Sequence, residues 1–279
     1  MTRLLNRKIK VFLDGRIFSS DQGLDIDVDR HEAFNKFAVT SVTLWNPNPD
    51  TIGACDSRQD PLDPELEVKP WMVVHAGYEP APGEKRSEVL ALGYVTSYKL
   101  EEHGADKALV ILMEDAAKLN VTGLKREYRV PMSVVELLTR IATPYYTRIS
   151  VGENKVLPRF AFTDEIQAVR SLVSASSSVL WYRGGLLTVI PNDLPLEEPT
   201  LINEDSGLLR RPEKLATGLK DERGYEFRTL YIPGVSLGRT MGVIYGNGKK
   251  RIDGRIFETQ TVFSTYASNY QIHKMKAAA

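Results

Sequence analysis

The sequence has only one cysteine, Cys55, and four histidines among its 279 residues. A single thiol excludes an intramolecular disulfide framework and a cysteine-based zinc finger. The histidines form no HxH or HxxxH pair, so no sequence-local histidine metal site is predicted. A chain of this length is able to bury an apolar core large enough to fold without such staples.

Long apolar runs and an excess of charge are also missing. No stretch of about 18 apolar residues is present, so no membrane-spanning helix is predicted. The first residues lack the apolar segment of a secretory signal. With 36 basic and 36 acidic residues the net charge is zero, which excludes a uniformly basic nucleic-acid-binding protein. We therefore expect a protein that is made and assembled in the cytoplasm.

The charge is unevenly distributed along the chain. Residues 207–279 contain 13 basic and 6 acidic residues, which leaves 23 basic and 30 acidic residues in the remainder. Such opposite charges favour head-to-tail association of copies or stacking on charged neighbours. The alternative is two solvated surfaces that differ in charge, and the sequence leaves both open.

The first 120 residues have the pattern of short β-strands. Six segments alternate polar and apolar residues or are rich in β-branched and aromatic residues: 8–13, 24–30, 37–45, 71–78, 89–98 and 107–114. Turns are expected at Asp14-Gly15 and between His103 and Asp106. The prolines and aspartates of residues 46–70 predict a long loop.

The middle of the chain changes to helical spacing. Ser133 and Glu136 form a capping-box pattern, in which each side chain satisfies a free backbone N–H group at the start of a helix. The spacing predicts a helix over 134–141 and a second one that starts at Thr163. A hairpin over 179–190, with its turn at residues 183–185, follows the second helix. Together these elements predict a small α+β unit.

Strands return near the carboxyl end, at 225–232, 241–245, 255–266 and 270–275, with a turn at Pro233-Gly234. The predicted fold class is mainly β with an α+β insert. Two β-barrel, tube-like domains over 1–128 and 205–279 flank a helix–hairpin domain over 129–204.

The pentapeptide DGRIF occurs twice, at 14–18 and 253–257. Both copies are predicted to lie at a turn beside a strand, since Asp-Gly is common in turns. A duplicated element and a chance repeat are both compatible with five identical residues. A duplication agrees with two quasi-equivalent barrels.

Several acidic and nucleophilic groups resemble parts of functional sites. Asp25, Asp27 and Asp29 share one strand face, but an EF-hand glycine and glutamate are missing, which favours a solvated face or a charged guard against edge pairing. The serines of residues 174–178 lack a GxSxG elbow and are predicted to be caps and turn residues. Cys55 is predicted to be an inert thiol.

Two further groups are basic or paired acidic residues. Residues 246–251 lack the residue order of a phosphate-binding loop, so they predict an exposed hairpin tip. The alternative is that the basic residues 249–251 contact nucleic acid or an acidic protein. Glutamates 101–102 and 197–198 are consecutive, so on a strand they point to opposite faces rather than forming a catalytic pair. The sequence predicts no catalytic, cofactor-binding or metal-binding residue and no enzymatic activity.

Four stretches, taken in order, resemble the small baseplate or tail hub proteins of tailed bacteriophages and related contractile injection systems. They are VTLWNPNPDT at 42–51, VVHAGY with LGYV at 73–78 and 92–95, the helix–helix–hairpin unit from 133 to 191, and SGLLRRP at 206–212. The sequence departs from the family at DGRIF 253–257, where a Gly-x-Tyr-x-Val strand is usual, and at Tyr266, where a tryptophan is usual.

The resemblance implies a homotrimer in which two barrels per chain form a ring of six. Such a ring joins the six-fold tail tube to the three-fold central spike and lines the channel for DNA passage. The implied partners are a tail tube or distal tail protein, a central spike or fibre protein and the tape measure protein, with DNA only in transit, no cofactor and no membrane insertion. The implied location is the virion tail or baseplate, and salt-dependent assembly is expected.

Three other functions stay open at this point. Within the same class, the chain is a distal tail or tube-extension protein with a six-fold ring. The alternatives from other classes are a tail-associated cell-wall hydrolase and a carbohydrate-binding module. A carbohydrate-binding module requires exposed aromatic side chains on one sheet face, which the structure is able to test.

Overall fold

A computed structural model describes most of the chain. The described residues are 7–59, 61–62, 67–78, 86–115, 126–142, 146–183, 186–193, 197–215, 224–232, 235–267 and 269–277. The predicted turns at Gly184-Gly185 and Pro233-Gly234 lie outside these residues.

The strands and helices have the following bounds in chain order. They are β1 (Arg7–Leu13), β2 (Arg16–Ser19), β3 (Ile26–Ala33), β4 (Val39–Trp45), α1 (Pro49–Gly53), β5 (Arg58–Gln59), β6 (Glu67–Val68), β7 (Trp71–Tyr78), β8 (Arg86–His103), β9 (Asp106–Asp115), β10 (Arg126–Tyr128), β11 (Met132–Ser133), α2 (Val134–Ile141), β12 (Tyr146–Ile149), β13 (Val156–Leu157), β14 (Phe160–Phe162), α3 (Glu165–Ala175), β15 (Ser178–Arg183), β16 (Leu186–Pro191), β17 (Thr200–Ile202), β18 (Leu208–Lys214), β19 (Gly224–Thr229), β20 (Thr240–Tyr245), β21 (Lys250–Ser264) and β22 (Asn269–Ala277).

One large sheet contains strands from both ends of the chain, in the order β18-β19-β22-β21-β3-β4-β9-β8-β7-β1-β2. Strand β21 joins its two parts. The second half of β21 pairs with β3, from Glu258 opposite Ala33 to Ser264 opposite Asp27, and its first half pairs with β20. The predicted class, mainly β with an α+β insert, is confirmed. Barrel closure is not detected among the described strands, so the two tubes stay a prediction.

Three hydrophobic clusters form the core. The first lies on the strands of residues 9–113 and also contains Tyr231 and Phe263. The second lies within residues 132–189, and the third within residues 202–275. The first cluster includes two residues of the predicted third domain, and the clusters do not test the boundaries. The division into 1–128, 129–204 and 205–279 stays a proposal.

The α+β insert forms as its sequence predicts. Ser133 caps α2, and its capping box with Glu136 is present. Asp164 caps α3 by accepting a hydrogen bond from the Gln167 backbone N–H. Strands β15 and β16 form the predicted hairpin, and β12 adds to β16 in parallel. No helix among the described residues is long and apolar enough to cross a membrane.

Two predicted loops contain regular structure. Residues 46–70 were expected to form one long loop, but α1 begins there with Pro49 in its first turn and an Asn48 side chain that accepts a hydrogen bond from Thr51 N–H. Asparagine as the cap and proline in the first turn are favoured at helix starts. The turn of the predicted hairpin tip at 246–251 is shorter than expected, because the β20–β21 turn ends at Lys249 and β21 begins at Lys250.

The two DGRIF copies have different structures. In the first copy Asp14 and Gly15 form the predicted β1–β2 turn with φ values of 47° and 78°. The second copy was expected at a turn as well, but it lies inside β21. There Gly254 permits close packing, since a Cβ atom at this position would lie 2.3 Å from the carbonyl oxygen of Lys276 on β22. Strand pairing therefore overrides the local turn preference of Asp-Gly.

This difference gives a test with one substitution at each copy. We expect Gly254→Ala to lower the free energy of unfolding by about 3 kcal/mol, because β21 and β22 have to move apart. Gly15→Ala is expected to cost only about 1 kcal/mol, from its left-handed backbone. Gly53→Ala is the control, since no atom lies within 4 Å of the added Cβ. Urea denaturation measures all three, and equal losses at Gly15 and Gly254 would contradict the prediction.

Candidate functional site: a buried polar band and two charged ends

A band of buried polar side chains crosses the large sheet on its inner face. Strand register places Thr229 opposite Gln271, Gln271 opposite Thr261, Thr261 opposite Arg30 and Arg30 opposite Thr40. These residues and their buried polar neighbours form a set that we call the polar band. Its members are Arg30, Glu32, Thr40, Asp115, Thr229, Thr259, Thr261, Gln271 and His273, and each is at most 4% exposed.

The polar band lies between the first and third hydrophobic clusters. Along β21, Phe263 belongs to the first cluster and Ile256 to the third, with Thr259 and Thr261 between them. Buried polar groups require hydrogen-bond partners, so the band allows only specific pairings of these strands. It therefore separates two apolar cores that share one continuous sheet.

Arg30 is the centre of the most strongly charged part of the band. Its guanidinium donates two hydrogen bonds to the Asp115 carboxylate, at 2.8 and 3.0 Å, one to Glu32 at 2.9 Å and one to Thr40 Oγ1 at 3.0 Å. Burial works to lower the pKa of Arg30, but the carboxylates of Glu32 and Asp115 outweigh it and raise that pKa. Arg30 therefore stays charged, and two carboxylates enclose it.

His273 lies in the neutral part of the band. Its Nε2 atom is 3.1 Å from the Thr229 hydroxyl, and its Nδ1 atom is 3.2 Å from the Thr259 hydroxyl. The ring packs against Phe227 with 5.2 Å between ring centres. Complete burial lowers the pKa of His273 to about 3, so the imidazole is neutral in the folded protein at physiological pH.

Contacts beside the band connect all three clusters. Glu88 on β8 accepts hydrogen bonds from Arg183 of the insert, at 3.0 Å, and from the Tyr231 hydroxyl, at 2.8 Å. Asn35, between β3 and β4, exchanges two hydrogen bonds with Leu180 of β15. These contacts fix the insert against the amino-terminal strands, and Trp181 of β15 packs against the third cluster. Each member of the polar band itself is at most 4% exposed, so the band is inaccessible to a substrate in the folded chain.

The two ends of β21 differ in charge. The end at Ser264 lies beside an acidic end of the sheet, formed by Asp25, Asp27, Glu101, Glu102 and Asp106 with Lys99 and Lys107 among them. Burial raises the pKa of Asp25, and the neighbouring carboxylates of Asp27 and Asp106 raise it further. Strand register brings the carboxylates of these separate strands to the same end of the sheet.

The opposite end of β21 is the basic tip of the β20–β21 hairpin. Lys249, Lys250 and Arg251 are exposed there. Arg251 pairs with Asp253 at 2.9 Å, and the Lys250 ammonium lies 5.9 Å from the centre of the Tyr245 ring. The predicted exposed hairpin tip is confirmed.

The structure also places the acidic residues that the sequence singled out. Asp27 and Asp29 lie on β3, with Asp25 directly before it. Asp27 accepts a hydrogen bond from Trp45 Nε1 at 2.8 Å, and Asp29 accepts two from Gln260 at 3.0 Å. The prediction that these aspartates guard a sheet edge against pairing was wrong, because β3 is an interior strand between β21 and β4. No group of three or more potential metal ligands is found among the described residues.

The predicted roles of Cys55 and of the serine run agree with the structure. Cys55 is buried, and burial raises the pKa of its thiol to about 11, with Asp56 adding to the effect. A protonated thiol is a poor nucleophile. Ser176 caps the carboxyl end of α3, and its hydroxyl donates to the Val173 carbonyl at 2.9 Å.

Exposed aromatic residues occur on the outer face of the amino-terminal strands. Trp71 on β7 lies opposite Tyr94 on β8, and each is a little more than a third exposed. Their rings meet edge to face, with centres 5.1 Å apart and planes at 74°. This geometry does not form the flat platform on which a sugar ring stacks.

Three solved structures share this fold. A tail protein from Neisseria meningitidis MC58 matches with a TM-score of 0.66 at 10% identity, over 97% of this chain and 96% of that one. The 43 kDa tail protein of prophage MuSo2 from Shewanella oneidensis matches with a TM-score of 0.66 at 9% identity, over 96% and 97% of the two chains. A component of the E. coli type VI secretion system, itself described as similar to phage tail proteins, gives 0.65 at 9% identity, over 92% and 74%.

These likenesses define the class of fold. No protein-family model matches the sequence, and no curated protein matches it. At 9–10% identity, the solved structures show a shared fold. The chain has the fold of bacteriophage tail proteins and of a related secretion-system component, which confirms the resemblance inferred from its sequence.

Proposed function

We propose that the chain is a structural component of a phage tail: a homotrimeric baseplate hub that joins a six-fold tube to a three-fold spike and surrounds the channel for DNA. The observation that carries this proposal is the match to tail proteins over nearly the full length of both chains. A match of that extent leaves little of the chain for a separate catalytic domain. The proposed location is the virion tail, after assembly in the cytoplasm of the host.

The internal arrangement of the sheet supports a role in joining two symmetries. A three-fold ring presents six similar units only if each chain contributes two of them. Here one half of β21 contributes to the first hydrophobic cluster and the other half to the third. The polar band between the two halves fixes the orientation of the two clusters relative to each other. We propose that the parts over 1–128 and 205–279 are these two units, and that the domain over 129–204 supports both.

The proposed partners are those that the resemblance to tail hub proteins implies. A tail tube or distal tail protein binds one side of the ring and a central spike or fibre protein the other, while the tape measure protein and DNA occupy the channel. One of the similar structures is a component of a type VI secretion system that is described as similar to bacteriophage tail proteins, which supports a place in a tail assembly. A distal tail or tube-extension protein with a six-fold ring is the alternative within the same class. The edge-to-face pair of Trp71 and Tyr94 does not favour a carbohydrate-binding module.

The number of chains in the assembled ring tests the proposal. We expect native mass spectrometry of the purified full chain to give a trimer, and negative-stain images to show a three-fold ring with a central hole. A hexameric ring would contradict the hub and support the distal tail alternative. A monomer at every concentration and salt condition would contradict both.

A further inference from the structure

The two charged ends of β21 are complementary surfaces on one chain. Lys250 and Ser264 bound this strand, which at 3.3 Å per residue separates the ends by up to about 45 Å. The basic tip carries three cations against Asp253. The acidic end carries five carboxylates against three cations, which are Lys107, Lys99 in an ion pair with Glu101, and Arg7, which donates to the Ser264 carbonyl. The excess of basic residues in 207–279 and of acidic residues elsewhere is thus partly concentrated at two opposite places.

Cyclic symmetry gives a reason to consider two complementary charged surfaces as one contact between copies. In a three-fold ring each chain contacts the next through two different surfaces, because only a two-fold contact uses the same surface twice. A homotrimer therefore requires two complementary surfaces on each copy. The basic tip and the acidic end meet this requirement by charge and by their separation on the chain.

The free edges of the large sheet are less suited to the contact. Edge strand β18 contains Pro212, which has no N–H group to donate, and its register shifts at Arg210 and Glu213. The other edge strands of the described sheet, β2 and β17, have four and three residues. Proline, charged residues and short length protect strand edges against pairing with another chain.

We propose that the basic tip of one copy, Lys249–Arg251, docks against the acidic end of the next copy, at Glu101, Glu102 and Asp106, and so closes the ring. This inference rests on the proposed homotrimer and adds the contact that forms it. The occupant is a second copy because the acidic counterpart of the tip is present on the same chain.

A charge exchange on the full-length protein tests the contact. One variant combines Lys250→Glu with Arg251→Glu, and a second combines Glu101→Lys with Glu102→Lys. Each is expected to weaken the trimer at least about tenfold, since like charges then face each other. The variant that carries all four substitutions is expected to recover wild-type trimer stability to within about threefold. Sedimentation velocity at low and high salt measures the dissociation, and circular dichroism verifies that each variant is folded.

The control exchanges two exposed cations away from both ends, Lys36→Glu with Arg148→Glu, and is expected to leave the trimer intact. If the wild type is a trimer and neither charge reversal weakens it, the proposed contact is wrong. The contact is also wrong if the fourfold variant does not recover the trimer. Either result leaves the proposed hub function unaffected. A wild-type chain that forms no trimer overturns the proposed function and the contact together. If the tip reversal abolishes binding of a short DNA duplex without changing the trimer, the tip is a nucleic-acid contact and the proposal is wrong.

Discussion

Replacing Arg30 with alanine is expected to lower the free energy of unfolding by about 3–5 kcal/mol. The substitution leaves the carboxylates of Asp115 and Glu32 buried without their cation, and both are at most 4% exposed. Removing one member of a buried ion pair costs more than the pair contributes, because the remaining charge is not solvated. Chemical denaturation monitored by tryptophan fluorescence measures the loss.

Two comparison variants separate the charge effect from a simple loss of packing. Arg30→Met combined with Glu32→Leu and Asp115→Leu removes all three charges and is expected to recover most of the stability. Arg210→Ala breaks an exposed pair with Glu213, where both side chains are more than half exposed, and is expected to cost less than about 1 kcal/mol. If Arg30→Ala costs no more than Arg210→Ala, the polar band does not hold the two cores in register.

The polar band had a signal in the sequence, but its meaning depended on distant partners. Alternation along β3 places Ile26, Val28, Arg30 and Glu32 on one face, so two charged residues share the apolar side of a predicted strand. That pattern indicates a buried ion pair. Asp115, which completes it, lies 85 positions away on β9, and no local pattern identifies that partner.

Local chemistry predicted the elements better than their pairing. The capping box at Ser133 and Glu136 fixes the start of α2 because it satisfies backbone N–H groups within one turn. By contrast, the parallel pairing of β12 with β16 depends on tertiary contacts, and short segments such as 146–149 carry too few residues for a clear period. The second DGRIF copy shows the same limit, since its partner Lys276 decides that it is a strand.

The same balance explains why the sequence indicated a class of protein before any site. The apolar alternation and the helix–hairpin unit occur in a fixed order along the chain, and that order determines the fold. The charged ends are formed by residues from separate strands, such as Asp25 and Asp106, which become neighbours only when β3, β4 and β9 pair. The net charge of each segment of the sequence indicated an uneven charge distribution, but it did not show where on the folded chain the charges gather.

Acid is expected to destabilise the protein through His273. Burial lowers the pKa of this imidazole from 6.5 to about 3, so between these values the unfolded chain binds a proton that the folded chain does not. Unfolding is therefore favoured as the pH falls from about 6.5 towards 3, by about 1 kcal/mol for each pH unit. The stability that the neutral ring contributes is complete above pH 6.5 and is lost below it.

Comparison with a His273→Gln variant isolates this contribution, because all other titrating groups are common to the two proteins. Glutamine keeps hydrogen-bonding atoms near Thr229 and Thr259 but does not titrate. At pH 7 we expect the wild type to be the more stable protein, and the difference is expected to shrink as the pH is lowered to 4, which urea denaturation at several pH values measures. His31→Gln changes a ring whose side chain is 47% exposed and is expected to keep most of the wild-type slope. Parallel stability curves for the wild type and His273→Gln would show that His273 is not buried as a neutral ring, and the hydroxyls on both sides of it would then need other partners.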